Sequence, residues 1–276
     1  MTQYKAPSMT IRGRTFEWGK RTYIMGIVNV SPESFSGDGV SEIEAAVEQA
    51  KRFQAEGADI IDVGGMSTRP DYKELTPSEE LRRLLPALRA IIPAVDLPVS
   101  VDTYRADVAS QALATGAHML NDVMGLRRDP ALARMAAGWG VPTIIMHNQR
   151  GRQFHDVIGD IRAGIEESLA LAHDAELPLD RLIIDPGFGF GWAPEHSLEM
   201  VRRLAELRDI GLPILIGTSR KSAIGAVLDL PAEERAWGTA ATVALSIANG
   251  ADIVRVHDVA EMAQVARVTD ATVRVS

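Results

Sequence analysis

The strongest constraint on the fold is an alternation of short apolar runs with longer amphipathic stretches along nearly the whole chain. Short apolar runs predict buried strands, and apolar residues three or four positions apart predict helices. We expect strands at residues 23–28, 60–63, 98–101, 119–120, 143–146, 182–184, 214–216 and 253–256. Helices should follow them at 41–56, 78–92, 106–114, 130–139, 156–175, 195–207, a region up to 249, and 259–272. Strands without a polar face, separated by helices, predict a parallel sheet.

Eight strand–helix units in 276 residues favour a single (β/α)8 TIM barrel over an open sheet. We therefore expect one α/β domain covering residues 1–276. Residues 9–18 alternate around Arg12-Gly13-Arg14. This pattern predicts a β-hairpin within an N-terminal extension, residues 1–20, that could plug the N-terminal mouth of the barrel.

Composition narrows the range of partners. The net charge of −8 argues against a general nucleic-acid or membrane-surface binder. The absence of cysteine excludes disulfides, a thiolate nucleophile and cysteine-bound metal. No apolar run approaches the ~20 residues that span a bilayer, and the first residues lack the apolar core of a signal peptide. We expect a cytoplasmic protein that acts on small molecules and binds neither nucleic acid nor membrane.

Polar residues follow the predicted strands, where active sites of such barrels lie. These strand ends supply Asn29, Thr68, Arg69, Asp102, Asn121, His147, Asp185, Lys221, Ser222, Arg255 and His257. A single polar residue at a strand end is ordinary, because loops meet water. Polar groups at all the predicted strands, together with two glycine-rich loops, favour a shared site.

Several placements indicate particular chemistry. Arg255 and His257 are two positions apart on one strand, so they share a face and suit an anion clamp; a core ion pair is the alternative. Residues 217–222 (GTSRKS) are phosphate-loop-like in composition but lack the spacing of a nucleotide-triphosphate loop. Asp102, Asn121 and Asp185 suit a flat heterocycle rich in N–H donors, although they could instead form a structural network with Lys221 or Arg255.

Other polar residues carry less weight. A lone histidine is more often structural than catalytic, so His147 is not expected to be a base or a metal ligand. The sequence contains no recognisable metal-binding motif.

In these strand-end segments the chain resembles the dihydropteroate synthases. The matching segments are residues 25–36 (MGIVNVSPESFS), 64–70 (GGMSTRP), 101–103 (VDT), 121–122 (ND), 146–148 (MHN), 185–191 (DPGFGFG), 217–222 (GTSRKS) and 255–258 (RVHD). The resemblance extends from residue 25 to residue 274. Each segment alone is weakly specific, but all eight in this order are highly specific.

The resemblance implies an enzyme of folate biosynthesis. It would join (7,8-dihydropterin-6-yl)methyl diphosphate to 4-aminobenzoate with loss of pyrophosphate, and sulfonamides would compete with 4-aminobenzoate. The implied pterin ligands are Asp102, Asn121, Met146, Asp185 and Lys221. The implied diphosphate ligands are Asn29, Thr68, Arg69, Arg255 and His257. The implied aminobenzoate pocket contains Phe35, Pro70, Phe190, Lys221 and Ser222. The catalytic set would be Asp102, Asp185, Lys221, Arg255 and His257.

The resemblance further implies a Mg²⁺ ion held by Asn29 and phosphate oxygens, and a homodimer. The chain departs from the family pattern at Met66, Asp71 and Trp192, where glutamate, glycine and lysine are usual. Two rival functions stay open: a pterin-dependent methyltransferase, and a paralogue that binds pterin without turnover. A phosphosugar enzyme is less consistent with three deep carboxylate and amide groups.

Overall fold

The structure is a computed structural model that describes residues 7–30, 40–66 and 74–274. A hairpin comes first, β1 (Met9–Ile11) and β2 (Arg14–Phe16). The barrel strands are β3 (Tyr23–Asn29), β4 (Ile60–Gly64), β5 (Val99–Asp102), β6 (Met119–Asp122), β7 (Thr143–Met146), β8 (Leu182–Asp185), β9 (Leu215–Ile216) and β10 (Ile253–Val256). The helices are α1 (Val40–Glu56), α2 (Pro77–Ile91), α3 (Ala106–Ala114), α4 (Ala131–Trp139), α5 (Val157–Asp174), α6 (Pro194–Arg203), α7 (Ser222–Leu228), α8 (Ala236–Ala248) and α9 (Val259–Val273).

Within the described residues the barrel strands form one eight-stranded sheet in the order β8-β7-β6-β5-β4-β3-β10-β9. All the pairings in this sheet are parallel. A parallel bridge between Ile184 and Ile214 joins β8 to the segment entering β9, which brings the two edges of the sheet together. Helices lie between consecutive strands, so the predicted (β/α)8 barrel is confirmed.

Two predicted helical segments differ from the structure. The region expected to run up to residue 249 is two helices, α7 and α8, separated by a short 3-10 turn at Ala232–Glu234 that follows Pro231. The helix expected at 195–207 ends as α6 at Arg203 and continues as a 3-10 helix, Leu204–Ile210. Apolar periodicity does not distinguish these tighter turns from an α-helix, because both keep side chains about three positions apart on one face.

The predicted hairpin is present and closes the N-terminal end of the barrel. Arg12 and Gly13 have φ of 48° and 73°, the left-handed conformation of a two-residue hairpin turn. Side chains of the hairpin and the segment after it pack in one buried cluster with inward-facing residues of the strands: Met9, Ile11, Phe16, Trp18, Tyr23, Met25, Ile60, Met119, Ile144, Ile183, Leu215 and Ile253. Asp252 Oδ1 also accepts a hydrogen bond of 2.9 Å from the Gly19 amide. A barrel filled at this end leaves the other end for a ligand.

A second, larger apolar cluster lies between the strands and the surrounding helices. In the part of the chain that the structure describes, no helix has the length and apolar character needed to cross a membrane.

Candidate active site

The alternation of side chains along each strand produces the polar cavity at the C-terminal end of the barrel. Successive side chains of a strand point alternately into the barrel and toward the helices. The apolar inward residues Ile60, Met119, Ile183 and Ile253 line the filled end. Two positions further along the same strands, the inward residues are polar: Asp62, Asn121, Asp185 and Arg255. Asp102 lies beside Asn121 in the register of β5 and β6.

Arg255 lies at the centre of a hydrogen-bonded network that joins four strands. Its Nε donates to Asp62 Oδ2 at 2.6 Å, and its Nη2 donates to Asp102 Oδ2 at 2.8 Å. Asn121 Nδ2 donates to the same Asp62 oxygen at 2.9 Å. Burial raises the pKa of Asp102 to about 7, and the positive charge of Arg255 opposes this rise. The network therefore contains more carboxylate than cation at the floor of the cavity.

Lys221 and Asp185 form the opposite side of the floor. Lys221 precedes α7, and its Nζ donates to the Phe188 carbonyl. Burial lowers the pKa of Lys221 to about 7, with Asp185 opposing the shift. Burial likewise raises the pKa of Asp185, whose Oδ1 accepts a hydrogen bond of 2.7 Å from the Gly187 amide. A Cβ built on Gly217 would lie 4.0 Å from Lys221 Nζ and 3.6 Å from Arg255 Cβ, so these cations border one space.

His257 follows β10 and is paired with a serine. Ser219 Oγ lies 3.0 Å from His257 Nδ1 and accepts the His257 backbone N–H at 3.2 Å. Burial, reinforced by the charges of Arg255 and Arg220, lowers the pKa of His257 to about 4. The ring is thus neutral near pH 7, and a serine proton donated to Nδ1 leaves the Nε2–H as a hydrogen-bond donor.

An apolar wall borders the polar floor. Tyr104, Val123, Met146 and Phe190 form one buried cluster, against which Met66 and Met124 pack. Lys221 Nζ lies 4.5 Å from the centre of the Phe190 ring, and the Arg150 guanidinium lies 4.9 Å from it. A flat aromatic ligand could pack on such a wall while its polar edge meets the acids.

The remaining predicted site residues are at the rim or outside the described residues. Asn29 ends β3 and is exposed, and its Oδ1 would lie 3.7 Å from a Cβ built on Gly64. Ser222 is exposed at the first position of α7. The predictions for Phe35, Thr68, Arg69 and Pro70 fall outside the described residues, as does Asp71.

The chain matches known proteins over nearly its full length. A family model described as "Pterin binding enzyme" matches residues 25–257. A dihydropteroate synthase from Clostridium beijerinckii is 45% identical over 268 residues, which cover 96% of this chain and 100% of that protein. The chain belongs to the dihydropteroate synthase family. Like its relatives, it is an enzyme of the transferase class.

Solved structures of dihydropteroate synthases have the same fold. The Clostridium difficile enzyme, crystallised in the presence of pteroic acid, superposes with a TM-score of 0.92 at 46% identity, covering 94% of this chain and 100% of that one. The Xanthomonas albilineans enzyme in complex with 7,8-dihydropteroate gives a TM-score of 0.89 at 36% identity, covering 98% and 100%.

Sequence reasoning missed Asp62, although it is part of the network. It was included in a predicted buried strand, residues 60–63, and given no role. The signal was available: an acid between Ile61 and Val63 in a buried parallel strand needs a partner inside the barrel. In the structure Asp62 is 0% exposed and meets Arg255 and Asn121.

His147 lies outside the cavity, which agrees with the expectation that a lone histidine has a structural role. It follows inward-facing Met146 and points toward α5, where a Cβ built on Gly164 would meet its Nδ1 at 1.9 Å. Its Nε2 lies 2.8 Å from Gln149 Oε1, and burial lowers its pKa to about 4. The Trp192 ring, at 5.6 Å between ring centres, packs beside it. Trp192 thus takes part in packing behind the wall.

Proposed function

We propose that this dihydropteroate synthase binds its pterin ring on the floor of the cavity and the diphosphate at the cationic rim. The observation that carries this assignment is the placement of Asp102, Asn121, Asp185 and Lys221 around one space with Arg255. The reaction joins (7,8-dihydropterin-6-yl)methyl diphosphate to 4-aminobenzoate and releases pyrophosphate. The whole chain, residues 1–276, would act as one domain.

The pterin ring would be held by hydrogen bonds to its edge. Asp185, Asp102 and the Asn121 carboxamide would accept its N–H groups, because a carboxylate can receive two parallel donors. Lys221 would donate to a ring carbonyl or ring nitrogen. Met146 would pack on the ring face, as its burial in the apolar wall supports. Filling the cavity would give the buried acids the partners that their desolvation demands.

Charge on the leaving group is what the rim would stabilise. The C–O bond to the diphosphate breaks and both electrons leave with pyrophosphate, so negative charge grows at the phosphate oxygens. Arg255 and the His257 Nε2–H would donate there, together with Asn29, Thr68 and Arg69. Each such preorganised donor typically lowers the activation barrier by about 3 kcal/mol.

The aminobenzoate would lie next to the Phe190 ring. Phe35, Pro70, Phe190, Lys221 and Ser222 would form its pocket. The amine nitrogen then attacks the pterin methylene carbon, which carries positive charge shared with the ring in an SN1-like reaction, and the amine loses one proton. Exclusion of water from the cavity would prevent capture of that cation.

The donor set suits a Mg²⁺ ion at the rim. Among the described residues no group of three or more histidine, cysteine, aspartate or glutamate side chains could hold a metal ion. Mg²⁺ is commonly held by one or two protein oxygens plus substrate phosphates and water, and the exposed Asn29 amide fits this arrangement. When bound, the ion would neutralise charge on the departing pyrophosphate.

The function is tested by following pyrophosphate release with and without 4-aminobenzoate. We expect release that depends on the amine and is matched mole for mole by dihydropteroate. Pterin binding without release would instead support the non-catalytic paralogue. Methyl transfer to a corrinoid protein would support the methyltransferase.

A homodimer would cover an apolar face of α8. This helix has no charged residue, and its outward positions include Trp237, 86% exposed, and Leu245, 57% exposed. Val227 and Leu228 of α7 are also exposed. Helices apolar on all sides are normally buried, and a second copy of the chain would bury this one. The cytoplasmic location stays a prediction.

A further inference from the structure

We propose that Asp62 is a positioning residue for both halves of the active site. It holds the Arg255 guanidinium for the diphosphate and the Asn121 carboxamide for the ring. The inference rests on the proposed function, because it concerns the same cavity.

Asp62 receives both groups on a single oxygen atom. Its Oδ2 accepts Arg255 Nε at 2.6 Å and Asn121 Nδ2 at 2.9 Å. The side chain is 0% exposed on β4, so packing restricts its movement. Because the two donors come from β10 and β6, on either side of β4 in the sheet, one carboxylate fixes groups from both directions.

The contact with Asp62 determines which part of Arg255 is available to a ligand. Within the described residues, the hydrogen bonds of Arg255 use Nε toward Asp62 and Nη2 toward Asp102. The guanidinium is planar, so two fixed nitrogens fix the direction of the third. Nη1 is then directed away from both acids and is available to a phosphate oxygen.

The same contact determines which end of the Asn121 carboxamide faces the ligand. A carboxamide presents either its oxygen or its NH2 group to a ligand, depending on which end its neighbours bind. Asp62 accepts from Nδ2, which leaves Oδ1 to accept a ring N–H. Without the carboxylate, the amide could rotate and present a donor, which suits a pterin edge poorly.

Burial of this acid has no evident benefit to stability. Among the described residues, Asp62 Oδ1 is buried without a hydrogen-bond partner. A buried carboxylate with an unsatisfied oxygen is destabilising, and buried ion pairs are weak evidence for stability. Positioning of two ligand-binding groups accounts for an acid at this place.

The test compares Asp62→Asn with a matched control, Ser100→Ala. Ser100 pairs with Asp62 in the register of β4 and β5, is fully buried, and its Oγ has no partner among the described residues. We would measure the binding of Mg²⁺-pyrophosphate and of 6-hydroxymethyl-7,8-dihydropterin by calorimetry, along with kcat, KM and the melting temperature.

For Asp62→Asn we expect each ligand to bind at least about 10-fold more weakly and kcat to fall by about 100-fold, the range seen when a supporting hydrogen bond is removed. Because Arg255 keeps Asp102 as a partner, the melting temperature should fall by less than it does in Arg255→Met. Ser100→Ala should keep wild-type binding and kcat. Wild-type affinities in folded Asp62→Asn would overturn the proposal, as would a fall in melting temperature with binding intact.

A double-mutant cycle tests whether Asp62 acts through Asn121. In an Asn121→Ala background, adding Asp62→Asn should cause little further loss of pterin affinity, whereas two fully additive losses would overturn this route.

If Asp62→Asn does not fold, Asp62→Glu keeps the charge but moves it by one methylene, and the same losses of binding are expected. Neither binding measurement needs turnover, so a wild-type enzyme without amine-dependent release would count against the proposed function alone.

Discussion

Removing Arg255 should cost stability as well as activity, and the structure gives the size of the effect. In Arg255→Met the aliphatic stem is kept, but Asp62 and Asp102 lose the cation that lies 2.6 and 2.8 Å from them. Both acids are nearly or fully buried, at 0% and 9% side-chain exposure. Removal of one partner of such a buried ion pair typically costs about 3–5 kcal/mol. We therefore expect the free energy of unfolding at pH 8 to fall by about that amount.

The deficit should shrink as the pH is lowered. Asp102 in the native wild-type protein has a pKa of about 7, above its usual 3.8, so the folded state holds this proton more tightly than the unfolded chain. Without Arg255 that pKa rises further, and the variant takes up the proton at a higher pH. Between pH 8 and pH 6 the deficit should decrease by about 1 kcal/mol if the added pKa shift is one unit, and by about 1.4 kcal/mol at most if it is larger, because the variant is then already protonated at pH 8.

The assay is urea unfolding followed by tryptophan fluorescence at both pH values. The control is Arg21→Met, which breaks an ion pair with Asp59 in which the Arg21 side chain is 52% exposed. Exposed pairs contribute about 1 kcal/mol or less, and this loss should be the same at both pH values. A loss in Arg255→Met that matches the control, or that does not change with pH, would refute the central place of Arg255 in the network.

Three further predictions concern the site and its surroundings. Burial lowers the pKa of Lys221 to about 7, so its charge is present below that pH and lost above it. We therefore expect kcat/KM for the pterin substrate to fall on the alkaline side, and Lys221→Arg should move this fall to higher pH. An unchanged pH profile in Lys221→Arg would argue against Lys221 as a ligand of the pterin ring. Gly187→Ala should lower the free energy of unfolding by about 2 kcal/mol or more in denaturant melts, because φ is +78° and the new Cβ would lie 1.9 Å from the His147 carbonyl; Gly138→Ala, with open space around its Cβ, should instead stabilise by about 0.5–1 kcal/mol. Trp237→Glu should convert the proposed dimer to monomer in light scattering, and a persistent dimer would exclude the α8 face.

The fold was predictable because its signals are local and repeated. The strands at Thr143–Met146 and Ile253–Val256 have the bounds that the sequence predicted, because buried parallel strands read as uninterrupted apolar runs. Helix ends were less certain, as at Arg203, where the chain tightens into a 3-10 helix without a change in periodicity.

Several polar residues that the structure brings together could be named from the sequence, but most of their pairings could not. The sequence placed Arg255 in an anion clamp with His257. The structure also places Arg255 between Asp62 and Asp102. These acids lie 193 and 153 residues away from it in the chain. Such contacts depend on closure of the barrel, which no local pattern encodes. The same reason explains why Asp62 received no role: its partners come from β6 and β10.

A crystal structure with a dihydropterin diphosphate analogue and Mg²⁺ tests most directly whether the ring binds on the acidic floor and the diphosphate at the cationic rim. We expect the ring edge within hydrogen-bond distance of Asp185 and Asn121, with the phosphate oxygens at Arg255 and His257. A ligand bound with its phosphates at the acidic floor, or at a surface away from β8 and β10, would contradict this expectation.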